Sequence, residues 1–209
     1  MKTIYKLSIA IFLFIPWVSS AQTDDTTNQE KGAFFVRSFF GIGTLEAEDV
    51  FKVNANVSGG TIGKEFILSD LFSISVAIES LRARADYATA ASGTNFLSNN
   101  YLQFPVKATI REQIGDQLSL TVSVGSLVSY LYASRVENVL LNLDEKETGL
   151  GTNFAVGADI FMKYYLNDAI SFMLGLRTQA DTFSISDGGS QEFSLTDVYA
   201  FELGVGFVL

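Results

Sequence analysis

The chain has neither cysteine nor histidine among its 209 residues. Without histidine there is no Ser-His-Asp triad, and none of the catalytic histidines on which barrel proteases, phospholipases and acyltransferases rely. Without either residue, thiol nucleophiles and most zinc sites are excluded. Absent cysteine also closes the lipoprotein route and leaves the fold without disulfides. Basic residues are few: 14 Lys and Arg against 23 Asp and Glu, a formal net charge of −9. An acidic chain with no basic stripe excludes nucleic acid as a partner. Long apolar runs are missing too. The run Leu7 to Val18 spans 12 residues, short of the roughly 20 that a membrane-spanning helix needs. If this chain crosses a membrane, it crosses with strands.

What is present begins with an export signal. Lys2 and Lys6 give a positive start, Leu7 to Val18 an apolar run, and Ser19, Ser20 and Ala21 a small-residue cleavage site. Residues 1–21 therefore read as a cleaved signal peptide. Its removal takes two of the 14 basic residues and no acid, so the net charge becomes −11. Residues 22–31 are polar and read as a disordered periplasmic tail. Residues 32–209 are enough for one domain.

Three segments of that domain repeat one pattern: Leu68-Ser69-Asp70-Leu71-Phe72-Ser73-Ile74, Ile114-Gly115-Asp116-Gln117-Leu118-Ser119-Leu120 and Leu166-Asn167-Asp168-Ala169-Ile170-Ser171-Phe172. Each is an apolar residue, a three-residue turn centred on Asp, and an apolar-Ser-apolar restart. Asp tolerates turn geometry and hydrogen-bonds its own backbone. On both sides of each turn apolar residues alternate with small or polar ones, the pattern of a strand with two unlike faces. This places strands at about 32–44, 52–68, 71–85, 100–114, 118–136, 150–166, 170–181 and 195–209. Longer loops are expected at 45–51, 86–99, 137–149 and 182–194. Short turns at one end and long loops at the other, behind an export signal, predict an eight-stranded antiparallel up-and-down transmembrane β-barrel, short side periplasmic. A ten-strand count would need two of the loops to be strands.

The closing strand sets Tyr199, Phe201, Leu203, Val205 and Phe207 against Ala200, Glu202, Gly204 and Gly206. The 150–166 strand sets Phe154, Val156, Ile160, Met162 and Tyr164 against Asn153, Ala155, Gly157, Asp159, Phe161 and Lys163. A soluble lipid-carrying barrel would turn the apolar face inward. The second face, however, is crowded with Gly, Ala and Ser and carries charges singly, which suits a narrow lumen better than a solvated exterior. The turns fix a register: Asp159 faces Arg177, Phe161 faces Gly175, Lys107 faces Gly125, Arg111 faces Thr121, and Glu79 faces Thr61. Paired charge is tolerable in a buried lumen. The expected lumen network is Arg37, Glu79, Lys107, Arg111, Asp159, Arg177 and Glu202. It fills the interior of a narrow barrel or, on the other reading, lines a solute pathway. Aromatic residues fall near strand ends: Phe66, Phe72, Tyr164, Tyr165, Phe172 and Phe207 by the short turns, Tyr101, Tyr130, Tyr132, Phe154 and Tyr199 toward the loops. This arrangement matches two interfacial girdles.

The stretch Asn100-Tyr101-Leu102-Gln103-Phe104-Pro105-Val106-Lys107, the strand centred on Gly125 and ending Ser129-Tyr130-Leu131, the turn Tyr164-Tyr165-Leu166-Asn167-Asp168 and the closing Leu203-Gly204-Val205-Gly206-Phe207 resemble the PorT-like outer-membrane β-barrel proteins of Bacteroidetes. The resemblance covers 32–209. It implies a barrel in the outer membrane and a link to secretion or gliding machinery. It transfers no functional residue, because that family has no catalytic motif to match. Leu209 ends the chain where Phe or Trp is commoner, so Phe207 is expected to serve the assembly machinery.

No catalytic, cofactor or metal site is expected. Asp144, Glu145 and Glu147 cluster in one expected loop, read as a solvated acidic loop before a divalent-cation site. Gly59-Gly60-Thr61-Ile62-Gly63-Lys64-Glu65 has the wrong glycine spacing for a phosphate loop and a Glu where Ser or Thr is needed. The expected role is structural or interactive, with outer-membrane lipid and envelope proteins as partners. A narrow porin for small solutes and a soluble lipid-binding barrel are the alternatives.

Overall fold

The computed structural model describes residues 32–47, 51–89, 93–185 and 193–208. The signal peptide, the tail and Leu209 lie outside the described residues. Eight strands follow one another: β1 (Ala33–Ala47), β2 (Phe51–Ile67), β3 (Phe72–Thr89), β4 (Gly93–Gly115), β5 (Leu118–Asn138), β6 (Leu143–Tyr165), β7 (Ile170–Ile185) and β8 (Phe193–Val208). Each pairs antiparallel with its sequence neighbours, and β1 pairs with β8 to close the barrel. Closure leaves no free sheet edge, the condition for strands to cross lipid.

The registers fix the shape. Starting at Ala33, the ladder passes through Glu65, Ser75, Lys107, Gly125, Gly157 and Gln179 to Val198. Ala33 itself pairs with Val208, ten residues further along β8. A shear of ten on eight strands tilts the strands by about 40° and sets a narrow interior. The expected register counts hold: Asp159 pairs with Arg177 and Phe161 with Gly175, Lys107 with Gly125 and Arg111 with Thr121, Thr61 with Glu79.

The turns differ in detail. The middle one has two residues, Asp116 and Gln117, because Gly115 pairs with Leu118 across an irregularity at the strand end. The aspartates are not the residues that tie the outer turns. Asn167 Oδ1 accepts from the amides of Ala169 and Ile170 at 2.9 Å, and Ser69 Oγ accepts from the amide of Phe72 at 3.0 Å. The residue before the aspartate reaches forward across the turn, leaving the carboxylate to solvent.

The expected loops are corrected more strongly. Most of 86–99 and 137–149 is strand, and only 139–142 separates β5 from β6. Apolar alternation stops in these segments, so their sequence lacks the strand signal. Asp144 to Gly149 is solvent-facing on both sides of the strand, so backbone pairing with β5 holds it without a hydrophobic signature. Bulges at Leu131/Ala133 and Asn100/Tyr101 shift the register where the strands leave the apolar zone. Bulges of this kind re-aim strands and raise local twist.

Large inward side chains lie over glycines of the neighbouring strand. Phe39 covers Gly59, Phe35 covers Gly63, Phe161 covers Gly175, Arg37 covers Gly204 and Lys107 covers Gly125. At Gly175 an added Cβ would strike the Phe161 ring and the Ile160 carbonyl. A narrow interior admits bulky groups only where the opposite position has no side chain.

Candidate functional site

Side-chain polarity inverts along the barrel. From the short turns to the level of Arg82, outward positions of β3 and β4 are apolar or small, Phe72, Ile74, Val76, Ile78 and Ser80 on β3 and Ile110, Ala108, Val106, Phe104 and Leu102 on β4, and on β2 the outward Lys64 lies over the Phe34 and Phe66 rings near the short turns. Phe201, Leu203 and Ile160 point outward and are 39, 48 and 44% exposed, whereas Asp159 and Glu202 are 3 and 1% exposed. Above that level the pattern reverses. Arg82, Arg84 and Asp86 point out, while Leu81, Ala83 and Ala85 point in. The ten residues from Phe72 to Arg82 climb about 25 Å at the usual strand rise and tilt, the height of a lipid-facing band. Lipid surrounds the lower zone and water the upper one, so each exterior takes the side chains its solvent favours. The apolar exterior of the lower zone rules against a soluble lipid carrier.

The lower lumen holds two ionic clusters. Beside the short turns, Glu65 bridges Lys163 at 2.6 Å and Arg111 at 2.8 Å and accepts from Ser73 Oγ at 2.6 Å. Above it, six residues form one network. Lys107 Nζ donates to both Asp159 oxygens at 2.7 and 2.6 Å. Arg37 reaches Asp159 at 3.8 Å and Glu202 at 3.3 Å. Arg177 bridges Glu202 at 3.2 Å and Glu79 at 2.8 Å, and Thr61 Oγ1 donates to Glu79 at 2.7 Å. Three cations meet three carboxylates, so the network carries no net charge. Aromatic rings flank it. The Arg37 guanidinium lies 4.3 Å from the Phe35 ring centre and 4.9 Å from that of Phe161, and Arg177 lies 4.4 Å from Phe39. Such cation–π contacts hold guanidinium planes without further donors or acceptors.

Above the ions the lumen mixes apolar side chains with paired amides and hydroxyls, Asn99 with Ser134 at 2.7 Å and Asn138 with Asn95 at 2.7 Å. Phe39, Leu45, Val57, Leu81, Leu97, Tyr101, Leu131, Leu150, Leu195 and Val198 form one buried cluster. Tyr101, expected in the loop-side girdle, is here: it is 0% exposed and its hydroxyl accepts from Asn99 at 3.2 Å. Tyr130, Tyr132, Tyr199 and Phe154 stay outside, with Phe154 stacked on Phe183 at 4.5 Å between ring centres.

The seven charges expected from sequence all face the lumen. Six are joined in one network, and Arg111 belongs to the lower cluster instead. The expected Asp159–Arg177 pair is corrected. The two residues are opposite in the backbone ladder, yet Asp159 takes Lys107 and Arg37, and Arg177 takes Glu79 and Glu202. In a narrow barrel long side chains span the lumen, so Lys107–Asp159, Arg37–Asp159 and Arg177–Glu79 join strands that are not neighbours, while Glu202 takes Arg37 and Arg177 diagonally from the strands on either side. Glu65 and Lys163 were missed. Strand parity carried the signal, since Glu65 shares a face with Thr61 and Lys163 with Asp159.

Beyond the apolar zone, β5 and β6 form the projecting hairpin. Arg135 grips Asp144 with two bonds of 2.7 Å and also reaches Glu137 at 2.9 Å. Hydrogen bonding from Arg135 holds the Asp144 carboxyl below its ordinary range. At the tip, Val139 and Leu140 are each 79% exposed and Leu141 59%, and Asn142 adopts a positive φ of 51° to close the turn. Among the described residues no group of three or more acidic side chains is arranged to hold a metal ion.

With this geometry in view, the barrel is similar in fold to the outer membrane protein OprG from Pseudomonas aeruginosa, at 10% identity over 88% of this chain and 99% of that one, with a TM-score of 0.52. Neisserial surface protein A (13% identity, 85% and 99% covered, TM-score 0.48) and Escherichia coli outer membrane protein W (15%, 87% and 100%, 0.41) are also among the similar structures. No protein-family model matches the chain, and no curated protein sequence does. The fold is thus an eight-stranded transmembrane β-barrel of the outer-membrane type.

Proposed function

We propose that the chain is a non-catalytic outer-membrane protein that presents its β5–β6 hairpin to a protein partner in the envelope or at the cell surface. The barrel is its pedestal, with a lumen plugged by the ionic network below and the apolar cluster above. The observation that carries this reading is the tip Val139-Leu140-Leu141, three large apolar side chains exposed at the end of a paired, ion-bridged hairpin. Exposed apolar side chains clustered on a rigid element mark contact sites. The rim, with Glu137, Asp144, Glu145 and Glu147 against Arg135 and Lys146, is net acidic, which favours a partner pocket edged with basic residues. The PorT-like resemblance fits a place in a secretion-type envelope complex and belongs to this proposal. A photo-crosslinking side chain at position 140, introduced in intact cells, is expected to trap one discrete protein adduct that the same probe at position 94 does not trap. Equal labelling at both positions, or none at 140, would overturn the docking role.

A further inference from the structure

The exterior of β2–β4 changes character at Arg82. Below it the same face carries Ile62, Ile78 and Phe104; at and above it come Ser58, Arg82 and Asn100 in one ladder row, and Asn56, Arg84 and Ser98 in the next. The two arginines point the same way from alternate positions of one strand, about 7 Å apart. Arg82 Nε donates to Ser98 Oγ at 3.0 Å, which anchors its guanidinium against β4. Neither arginine forms an ion pair with any described residue. The nearest acid on this face is Asp86, one pleat above Arg84 and opposite Phe96. Two unneutralised guanidiniums on a chain of net charge −9 stand out against their setting. Every other strongly buried or projecting arginine described above has a carboxylate.

Position supplies the ligand class. Arg82 stands about 25 Å above Phe72, at the upper edge of the lipid-facing band, level with the girdle of Tyr130, Phe154 and Tyr199. The headgroups of the surrounding leaflet lie at that height. A guanidinium pairs bidentately with phosphate, and the hydroxyls and amides of Ser58, Asn56, Ser98 and Asn100 frame the pair with further donors. Acyl chains of the same lipid would descend along Ile62, Ile78 and Phe104. We propose that Arg82 and Arg84, framed by these four polar residues, form a site for the phosphate of an anionic lipid headgroup at the loop-side edge of the membrane. The site is independent of the hairpin tip and does not need the docking role.

The test uses the full chain in zwitterionic detergent with equal amounts of phosphatidic acid and phosphatidylcholine of the same acyl chains. Lipid retained after purification is quantified by mass spectrometry. Wild type is expected to retain phosphatidic acid about tenfold over phosphatidylcholine, each arginine near an anionic surface contributing about fivefold before losses to screening. R82Q/R84Q is expected to retain the two lipids equally, and K146Q, on the hairpin, to behave as wild type. Both substituted side chains are exposed, and heat-modifiable gel migration verifies that each variant is folded. No preference in wild type would overturn the proposal whatever the variants do, as would an undiminished preference in folded R82Q/R84Q. Inorganic phosphate at the concentration of the lipid is expected to leave the lipid bound. If it displaces phosphatidic acid, the site takes a free anion and the lipid assignment fails.

Discussion

Arg177 is buried and bridges two carboxylates, so its removal leaves buried Glu79 with the Thr61 hydroxyl alone and Glu202 with Arg37 alone. Breaking such a buried group costs about 3–5 kcal/mol. R177Q is expected to lower barrel stability by that order in urea unfolding from micelles. A double-mutant cycle identifies its partner: R177Q with E79Q should couple by about 1 kcal/mol or more, and R177Q with D159N by less. Equal coupling in both cycles would contradict the assignment of partners. Gly175 is a second sensitive position, because an added methyl meets the Phe161 ring and backbone at once. G175A is expected to cost about 1–3 kcal/mol, read as a lower temperature of gel-shift conversion. The parity of these residues was legible in the sequence, and so was the Phe161–Gly175 pair. The cross-lumen partners were not, because a ladder count sees only adjacent strands.

The β5–β6 hairpin stands outside lipid and owes its order to pairing and to Arg135. Because Arg135 lowers the Asp144 pKa, the ionised pair persists below the ordinary aspartate range; its contribution to stability is full above that range and is lost as pH falls through the depressed folded value. A carboxyl NMR titration in micelles should show Asp144 titrating below the ordinary aspartate range, R135Q should return it toward that range, and D144N should speed amide exchange in 136–143. Unchanged exchange in D144N would show that the ion pair contributes no order. The hairpin's length escaped sequence reading for a physical reason. Where water bathes both faces of a strand, no alternation is imposed, and residues such as Glu145, Lys146 and Glu147 look like loop. The strands within lipid, by contrast, announced themselves because lipid outside and ions inside demand opposite residues at successive positions.

The barrel as a body places ions in its lipid-embedded zone and a cluster of large apolar side chains, interleaved with paired amides, in its projecting zone, with Leu45, Leu81, Leu97 and Leu195 almost fully buried. Filling of both zones leads to the expectation that the protein reconstituted in a planar bilayer carries no steady current. Sustained single-channel conductance would refute the plugged lumen and favour the narrow-channel reading. The outward band reaches a finite height, and above it the solvent outside changes from hydrocarbon to water, so on β3 Arg82, Arg84 and Asp86 turn out while Leu81, Ala83 and Ala85 turn in.

The linear chain alone was sufficient for strand number, turn positions, register and the inward parity of seven charges, because each follows from neighbours along the backbone or across one tight turn. Closure of the sheet decided the rest. Only a sheared ring brings Glu65 of β2 to Lys163 of β6 and Glu79 of β3 to Arg177 of β7, and only its height against the lipid band sets where inside and outside exchange character.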